Sequence, residues 1–513
     1  MAETAPVLTV TDLAVRAGND RLLAPSSFTL HEGERVVLVG PSGYGKSLFA
    51  DLLLGFAGPD SPGLEVEGSM VLDDTSLLGS GPASRDHRIG AVFQMQRSGL
   101  FDDLTIEQNL QFGSEDETAR IAVVDELNLE RIERPVTQCS GGEGVRVALA
   151  RTLLRGAGVI VYDEPTTGLD PYNAGGVVQA IQQAHRRLSI VITHDYPAFR
   201  EHADAVLFLD PSDRTLKRLD ATAEAFDHVE EALAGVRPPD VEATPTLPFL
   251  TRARLAWDRL ALGTSAVLLD WLTVFAVPWA FLRIAHPLDG PRVRQALRRD
   301  LAFGVLAFVG LSAMLIAVTG TYFLFERLPK RLYTEPIVQD DLVAGLGLIY
   351  ARIGIPLLVS ILLAAKLGAA AAAHLGHMSL TRQIDALELL GVSQRRHLLQ
   401  PTAAGQLASA WVCTGVAVAL AYVTSLVVFL AMHPGYSVQY FHHAFIRELD
   451  GEVVLWVLAK TAVSAIGVAA VAFRVGVQPK RAPELVVKGI HRTLLRALLL
   501  VLAVHALFAF LEY

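Results

Sequence analysis

Residues 40–47 read Gly40-Pro41-Ser42-Gly43-Tyr44-Gly45-Lys46-Ser47, a complete G-x-x-x-x-G-K-[ST] phosphate loop. The apolar run Arg35-Val36-Val37-Leu38-Val39 before it has the character of a strand, and Leu48 to Leu54 after it has that of a helix. In that context the glycines let backbone N–H groups curl around a phosphate chain, Lys46 adds a point charge, and Ser47 offers a hydroxyl to Mg²⁺. The chain is therefore expected to bind a nucleoside triphosphate.

Working outward, the two halves of the 513-residue chain differ in charge. Residues 1–240 carry 20 Lys and Arg against 37 Asp and Glu, whereas residues 241–513 carry 24 against 16. An acidic half joined to a basic, apolar one suggests a cytosolic domain tethered to a membrane domain. A hydrophobic content of 51% agrees, as does a mean hydropathy of +0.38, because soluble proteins are rarely so apolar. With only Cys139 and Cys413 there is no disulfide framework. The first residues lack a basic stretch followed by an apolar one, so no signal peptide is expected and the first half should stay in the cytoplasm.

Further motifs follow the phosphate loop. Ile89-Gly90-Ala91-Val92-Phe93-Gln94 is a buried-strand run ending in glutamine. Cys139-Ser140-Gly141-Gly142-Glu143 precedes a helical pattern over Val145 to Leu154. Val159 to Glu164 is an apolar strand closing on two acids, with Asp170 just beyond, and Ser189 to His194 is a strand closing on histidine. Each suits phosphoryl chemistry. Asp163 can hold Mg²⁺, Glu164 can polarise the attacking water, His194 can contact the γ-phosphate, and Gln94 can sense metal and water. Ser140, Gly141 and Gly142 at a helix N-terminus form a second anion site, suited to a nucleotide held by another subunit.

In this order and spacing the set resembles the ATP-binding-cassette (ABC) ATPase family over roughly residues 7–235. The resemblance implies an α/β P-loop fold, ATP and Mg²⁺ as cofactors, Ser47, Gln94 and Asp163 around the metal, and closure of two chains on two ATP molecules. The family signature usually begins with leucine and ends in glutamine, where this chain has Cys139 and Glu143. An aromatic usually stacks on adenine upstream of the first strand, and Val15-Arg16-Ala17-Gly18 offers none.

In the second half, residues 236–252 are proline-rich and have the character of a linker. Apolar stretches near 300–323, 342–373, 404–432, 453–473 and 493–511 each approach or exceed the ~20 residues that cross ~30 Å of hydrocarbon. A sixth, Leu260 to Leu282, is broken by Asp270 and Pro278 and is expected to lie in the membrane interface within a 253–299 region. Arg283, Arg292, Arg294, Arg298 and Arg299 follow it, and the positive-inside rule keeps them in the cytoplasm. An all-α domain of about five spans over 300–513 results, with residues 374–403 and 474–492 inside and 433–452 outside.

The inside segment around 379–398 is the most specific text of this half. Ile384, Leu387 and Gly391 share one helical face, and Gly391 can stop the helix. Gly376, Met378, Gln383-Ile384-Asp385-Ala386-Leu387-Glu388, Gly391-Val392 and Pro401 closely resemble the MlaE permease family of Mla/Mce lipid-transport systems, so the first half would be MlaF-like. The likeness extends over about 265–513 and includes Arg352, Lys460 and Arg474. It implies a coupling helix at this segment carrying Gln383, Asp385, Leu387, Glu388 and Gly391. It also implies a homodimer in the bacterial cytoplasmic (inner) membrane, a lipid cargo and a periplasmic Mce-domain partner; no nucleic-acid partner is expected. Relative to the family, an acid after Arg352 is replaced by Ile353, and an acid in the last span by His505. Arg352, near mid-depth in its span, is expected either to meet a buried partner or to offer a cation to a lipid phosphate. Lys366 should snorkel to the inner headgroups. Arg395 and Arg396 are expected to dock on acids such as Asp102 and Asp103. Export of hydrophobic drugs or sterols, and mechanical signalling without transport, are the alternative functions.

Overall fold

The computed structural model describes residues 8–234 apart from Asn19, Pro62, Ser80, 83–87, 94–98 and 184–186, and then residues 290–327 and 337–512. Gln94, the 236–252 segment and the 260–282 stretch lie outside the described residues. The described chain forms two compact units, one containing the residues up to Ala234 together with Thr381–Ser393, the other containing the rest.

The first unit is built on β3 (Arg35–Val39), β6 (Ile89–Val92), β7 (Val159–Asp163), β8 (Leu188–Ile192), β9 (Ala205–Leu209) and β10 (Leu216–Asp220). They form one sheet in the order β10-β9-β3-β8-β7-β6. All neighbours pair parallel except β10 with β9. Strand side chains alternate between faces, and here each face has its own core. Val36 and Leu38 join Ile190, Ile192 and Leu207 on one side, while Val37 and Val39 join Val191, Val206 and Phe208 on the other. Burial on both faces is why these strands are unbroken apolar runs in the sequence. A second, antiparallel sheet, β2-β1-β4-β5, covers the first core; its strands are β1 (Leu8–Ala17), β2 (Asp20–Leu30), β4 (Leu64–Leu72) and β5 (Thr75–Ser76). Two helices matter for the site. One is α1 (Lys46–Leu54), which follows the phosphate loop. The other is the signature helix Gly141–Leu154, capped by the Ser140 hydroxyl accepting from the Glu143 N–H.

Thr381–Ser393 belongs to this unit although it lies between membrane helices in sequence. The segment is shorter than the expected 379–398, because the flanking helices run to Leu380 and start again at Arg395. Its helix, Gln383–Leu389, ends as Gly391 turns to φ +65°. There the Gly391 and Val392 N–H groups donate to the Glu388 and Leu387 carbonyls. Ile384 and Leu387 are buried as their spacing required. Ala386 and Leu389 join the core that holds Val36 and Leu38.

The second unit holds, among the described residues, five helices long and apolar enough to span: Phe303–Glu326, Asp340–Leu380, Arg395–Met432, Gly451–Gly476 and Pro483–Leu511. Small residues at helical spacing on the third span, Ala410, Cys413, Ala417 and Ala421, share a core with Ala313 and Ala317 of the first. The second span, at 41 residues, exceeds the hydrocarbon thickness. It contains π-helical turns at Ile349–Gly354 and Ala364–Gly368, which carry Arg352 and Lys366. Lys366 is exposed, and its ammonium comes near Gly304 at the start of the first span.

Arg352 does not offer a free cation to a lipid headgroup. Its Nε donates to Glu512 Oε2 at 2.8 Å and its Nη2 to the Glu512 carbonyl at 2.9 Å. Lys460 donates to Glu512 Oε1 at 2.8 Å. Glu512, just past the end of the last span, thus supplies the counter-charge that Ile353 and His505 do not. A buried and a half-buried cation sharing one carboxylate are stable only while that carboxylate remains. Glu512→Ala should therefore lower stability by about 3 kcal/mol or more, read as a drop in thermal unfolding temperature of the chain in lipid discs. Replacing Arg352, Lys460 and Glu512 together by apolar residues should cost less than the single change; the reverse order would mean that the carboxylate does not hold the cluster.

Candidate functional site

Because β3, β8 and β7 are neighbours, their C-terminal ends lie level: Ile192 is the register partner of both Leu38 and Asp163. The segments after Val39, Asp163 and Ile192 leave from one edge, where open α/β sheets bind ligands. That places the phosphate loop, Glu164 and His194 together.

The loop needs its glycines. Gly43 and Gly45 sit at φ +82° and +117°, and a Cβ on Gly40 would lie 2.8 Å from Leu209 Cβ. Lys46, buried, turns its ammonium into the loop and donates to the Gly40 carbonyl at 2.7 Å and the Pro41 carbonyl at 3.1 Å. Burial lowers its pKa, while Glu164 and Asp163 pull it back up. Ser42 Oγ lies 3.2 Å from His194 Nε2, and the same nitrogen is 3.2 Å from Glu164 Oε1. The other carboxylate oxygen of Glu164 accepts from the Thr167 hydroxyl at 2.5 Å. Glu164 itself holds φ +52°, with its N–H donating to Ile192. A left-handed glutamate costs about 1–3 kcal/mol, a strain that clusters at functional sites.

Asp163 closes β7, and burial raises its pKa against the opposing pull of Arg382 and Lys46. Ser47 is exposed on the first turn of α1. A curled, glycine-dependent loop with an inward ammonium, a nearby hydroxyl and a buried carboxylate fits a nucleoside triphosphate with a divalent cation; Ser47 and Asp163 are the groups that would hold the metal. Tyr44, in the loop, packs under the Arg214 guanidinium, 5.4 Å from the ring centroid.

At the signature, Ser140 is exposed, Gly141 half-buried, and Gly142 and Glu143 buried. Glu143 forms an ion pair with Arg134. The acid that replaces the family's glutamine is therefore neutralised within its own unit. Asp170 accepts from the N–H groups of Tyr172 and Asn173 and from the Asn173 side chain, capping the next helix, and these bonds lower its pKa. A Cβ on Gly142 would lie 3.1 Å from Asn173, so the two motifs are packed together.

The coupling segment is held at several points. Gln383 Nε2 donates to Asp102 Oδ2 at 3.1 Å, the Gly99 N–H donates to the Thr381 carbonyl at 2.9 Å, and Arg155 on the signature helix's C-cap donates to the Leu390 carbonyl. Gly99 itself sits at φ +79°, and a Cβ there would meet Phe93 at 3.0 Å and Ala386 at 3.4 Å. Gln383 is a residue that meets Asp102 within this unit. Asp385 lies 3.9 Å from Arg382, and Leu387 is buried. Sequence reasoning also missed Thr167, Arg134, Arg155, Gly99 and Arg382. Of these only Gly99, five residues after Gln94 and a glycine, offered a local cue.

Residues 23–167 match the family model described as ABC transporter, and residues 299–511 match the one described as Permease MlaE. The thiamine import ATP-binding protein ThiQ of Yersinia pseudotuberculosis is 34% identical over 181 residues, 33% of this chain and 72% of that protein. The chain belongs to the ABC transporter family, as an ATPase domain fused to an MlaE-family permease. The chain is also 35% identical over 222 residues to the mycobactin import ATP-binding/permease protein IrtB of Mycolicibacterium thermoresistibile, covering 40% of this chain. It is 30% identical over 268 residues to the macrolide export ATP-binding/permease protein MacB 2 of Yersinia pestis, covering 47% of this chain. It spans only 36% and 38% of the lengths of those two relatives. Among solved structures, cbiO1 from Clostridium perfringens matches 44% of this chain and 92% of its own, with 24% identity and a TM-score of 0.38.

Two outcomes follow for this ABC ATPase site. Glu164→Gln should cut phosphate release on the order of 100-fold or more while nucleotide binding persists; near-normal release would remove Glu164 from the water-activating role. Gly99→Ala should loosen the coupling segment. Cysteines at 102 and 383, in a chain without Cys139 and Cys413, should cross-link efficiently in membranes with Gly99 present and poorly with alanine there.

Proposed function

We propose that this chain is an ATP-driven half-transporter that moves phospholipid or a related lipid across or between bacterial membranes. It works as a homodimer in the cytoplasmic membrane, with the ATPase domain on the cytoplasmic side. The observation that carries this reading is the pairing of an MlaE-type permease with an ATPase domain whose core includes Ala386 and Leu389 from the permease's own inter-span segment. The domains are residues 1–235 for the ATPase, 236–252 for a linker, 253–299 for an interfacial region and 300–513 for the permease.

In the ATPase the residues 40–47 loop and Lys46 cradle the phosphates, and Ser47, Gln94 and Asp163 would hold Mg²⁺, which would neutralise phosphate charge. Glu164, oriented by Thr167 and His194, draws a proton from the attacking water. Ser140, Gly141 and Gly142 of each chain close on the nucleotide of the other, so hydrolysis is coupled to the state of the dimer. Asp170, which caps the helix packed on Gly142, links the signature to that closure. Cargo passes to or from a periplasmic Mce-domain protein.

A second reading, export of a hydrophobic drug, draws on the likeness to the macrolide exporter. The two separate on one experiment. Lipid should co-purify with the chain and be identified by mass spectrometry, and proteoliposomes with ATP should transfer phospholipid to an Mce-type acceptor. Glu164→Gln should abolish transfer. Transfer of a macrolide but of no phospholipid would favour the exporter; ATP turnover with no cargo moved would favour a mechanical signalling protein.

A further inference from the structure

Arg382 occupies an unusual position for a residue that reached the ATPase from the permease sequence. It is the N-cap of the Gln383–Leu389 helix, held at φ +54°. Its guanidinium lies over the ring of Phe93, the residue before Gln94 in sequence, 5.0 Å from the centroid. Its Nη2 is 3.7 Å from Oδ1 of Asp51, a buried acid on α1 one helical turn after Ser47, and its Nε is 3.9 Å from Asp385. The charge also reaches Asp163, whose carboxyl pKa it pulls down against burial. One guanidinium from the coupling segment thus lies beside an acid on the helix that carries Ser47 and bears electrostatically on Asp163.

We propose that Arg382 is a positioning residue through which seating of the Thr381–Ser393 segment sets how tightly the ATPase site holds its divalent cation. With the segment seated, the guanidinium supplies positive charge beside Asp51 and toward Asp163 and opposes a dication held at Asp163. When the segment withdraws, that opposing charge is removed. Linkage makes the effect reciprocal: cation binding favours withdrawal of Arg382, so loading the ATPase site pushes on the coupling segment. The inference rests on the ATPase reading above, because it needs Asp163 to hold the metal. It adds a residue that touches neither nucleotide nor lipid.

The test uses the full chain in lipid discs with a non-hydrolysable ATP analogue and Mn²⁺, whose binding is followed by electron paramagnetic resonance. Turnover plays no part in that readout. Arg382→Gln should tighten Mn²⁺ binding roughly three- to tenfold, the effect of removing one nearby positive charge. Arg382→Met, which keeps an apolar stem on Phe93, should do the same, guarding against a variant that fails to fold. Arg382→Lys keeps the charge and should stay within about twofold of wild type. Unchanged affinity in Gln and Met variants that fold, or a Lys variant that behaves like Gln, would overturn the proposal while leaving the ATPase reading standing. A wild-type chain that binds no Mn²⁺ with nucleotide would overturn both.

Discussion

The nucleotide site depends on β3, β8 and β7 lying side by side and parallel. Loops far apart in sequence meet because three strand ends share one level. That adjacency is enforced by burial on both faces, since each strand splits its side chains between two hydrophobic cores. A one-residue slip of β3 would exchange Val36 and Leu38 with Val37 and Val39 between cores of different shape and would also move the phosphate loop along the sheet. Packing and chemistry are therefore fixed by the same register.

The coupling segment enters this arrangement from the same side as Val36 and Leu38. Its Ala386 and Leu389 are core residues, so a shift of the helix is a repacking of the ATPase and not the sliding of a surface loop. Gly99 shows how close the approach is: at φ +79° a Cβ there would crowd Phe93 at 3.0 Å and touch Ala386 at 3.4 Å.

The phosphate loop, the strand-end acids and His194 were legible in the sequence because each sits on a short strand–turn unit whose spacing carries the chemistry. The five spans were legible because length and apolar composition alone mark them. What escaped depends on contacts through space. Arg382 belongs to no motif, yet it lies beside Asp51 of α1 and bears on Asp163 of β7. Glu143 stood out as a departure from the signature, but its ion pair with Arg134 is formed through space. Arg352 looked available for a headgroup because its carboxylate arrives from Glu512, at the far end of another span. Thr167, which steadies Glu164, sits in a turn whose sequence gives no hint of the side chain it bonds. The coupling helix was expected from its face of apolar residues, but its span was drawn too wide, because the flanking helices continue unbroken by any local signal.

Covalent fusion changes what the docking of Thr381–Ser393 has to achieve. When ATPase and permease are separate proteins, that small contact competes with dilution, and assembly depends on subunit concentration. Within one chain the segment meets its groove at an effective concentration that for short tethers reaches the millimolar range. The contact can then be weak enough to break and re-form in every cycle without loss of the partner. A helix of seven residues that buries Ile384, Ala386, Leu387 and Leu389 is thereby kept beside its site through each repacking.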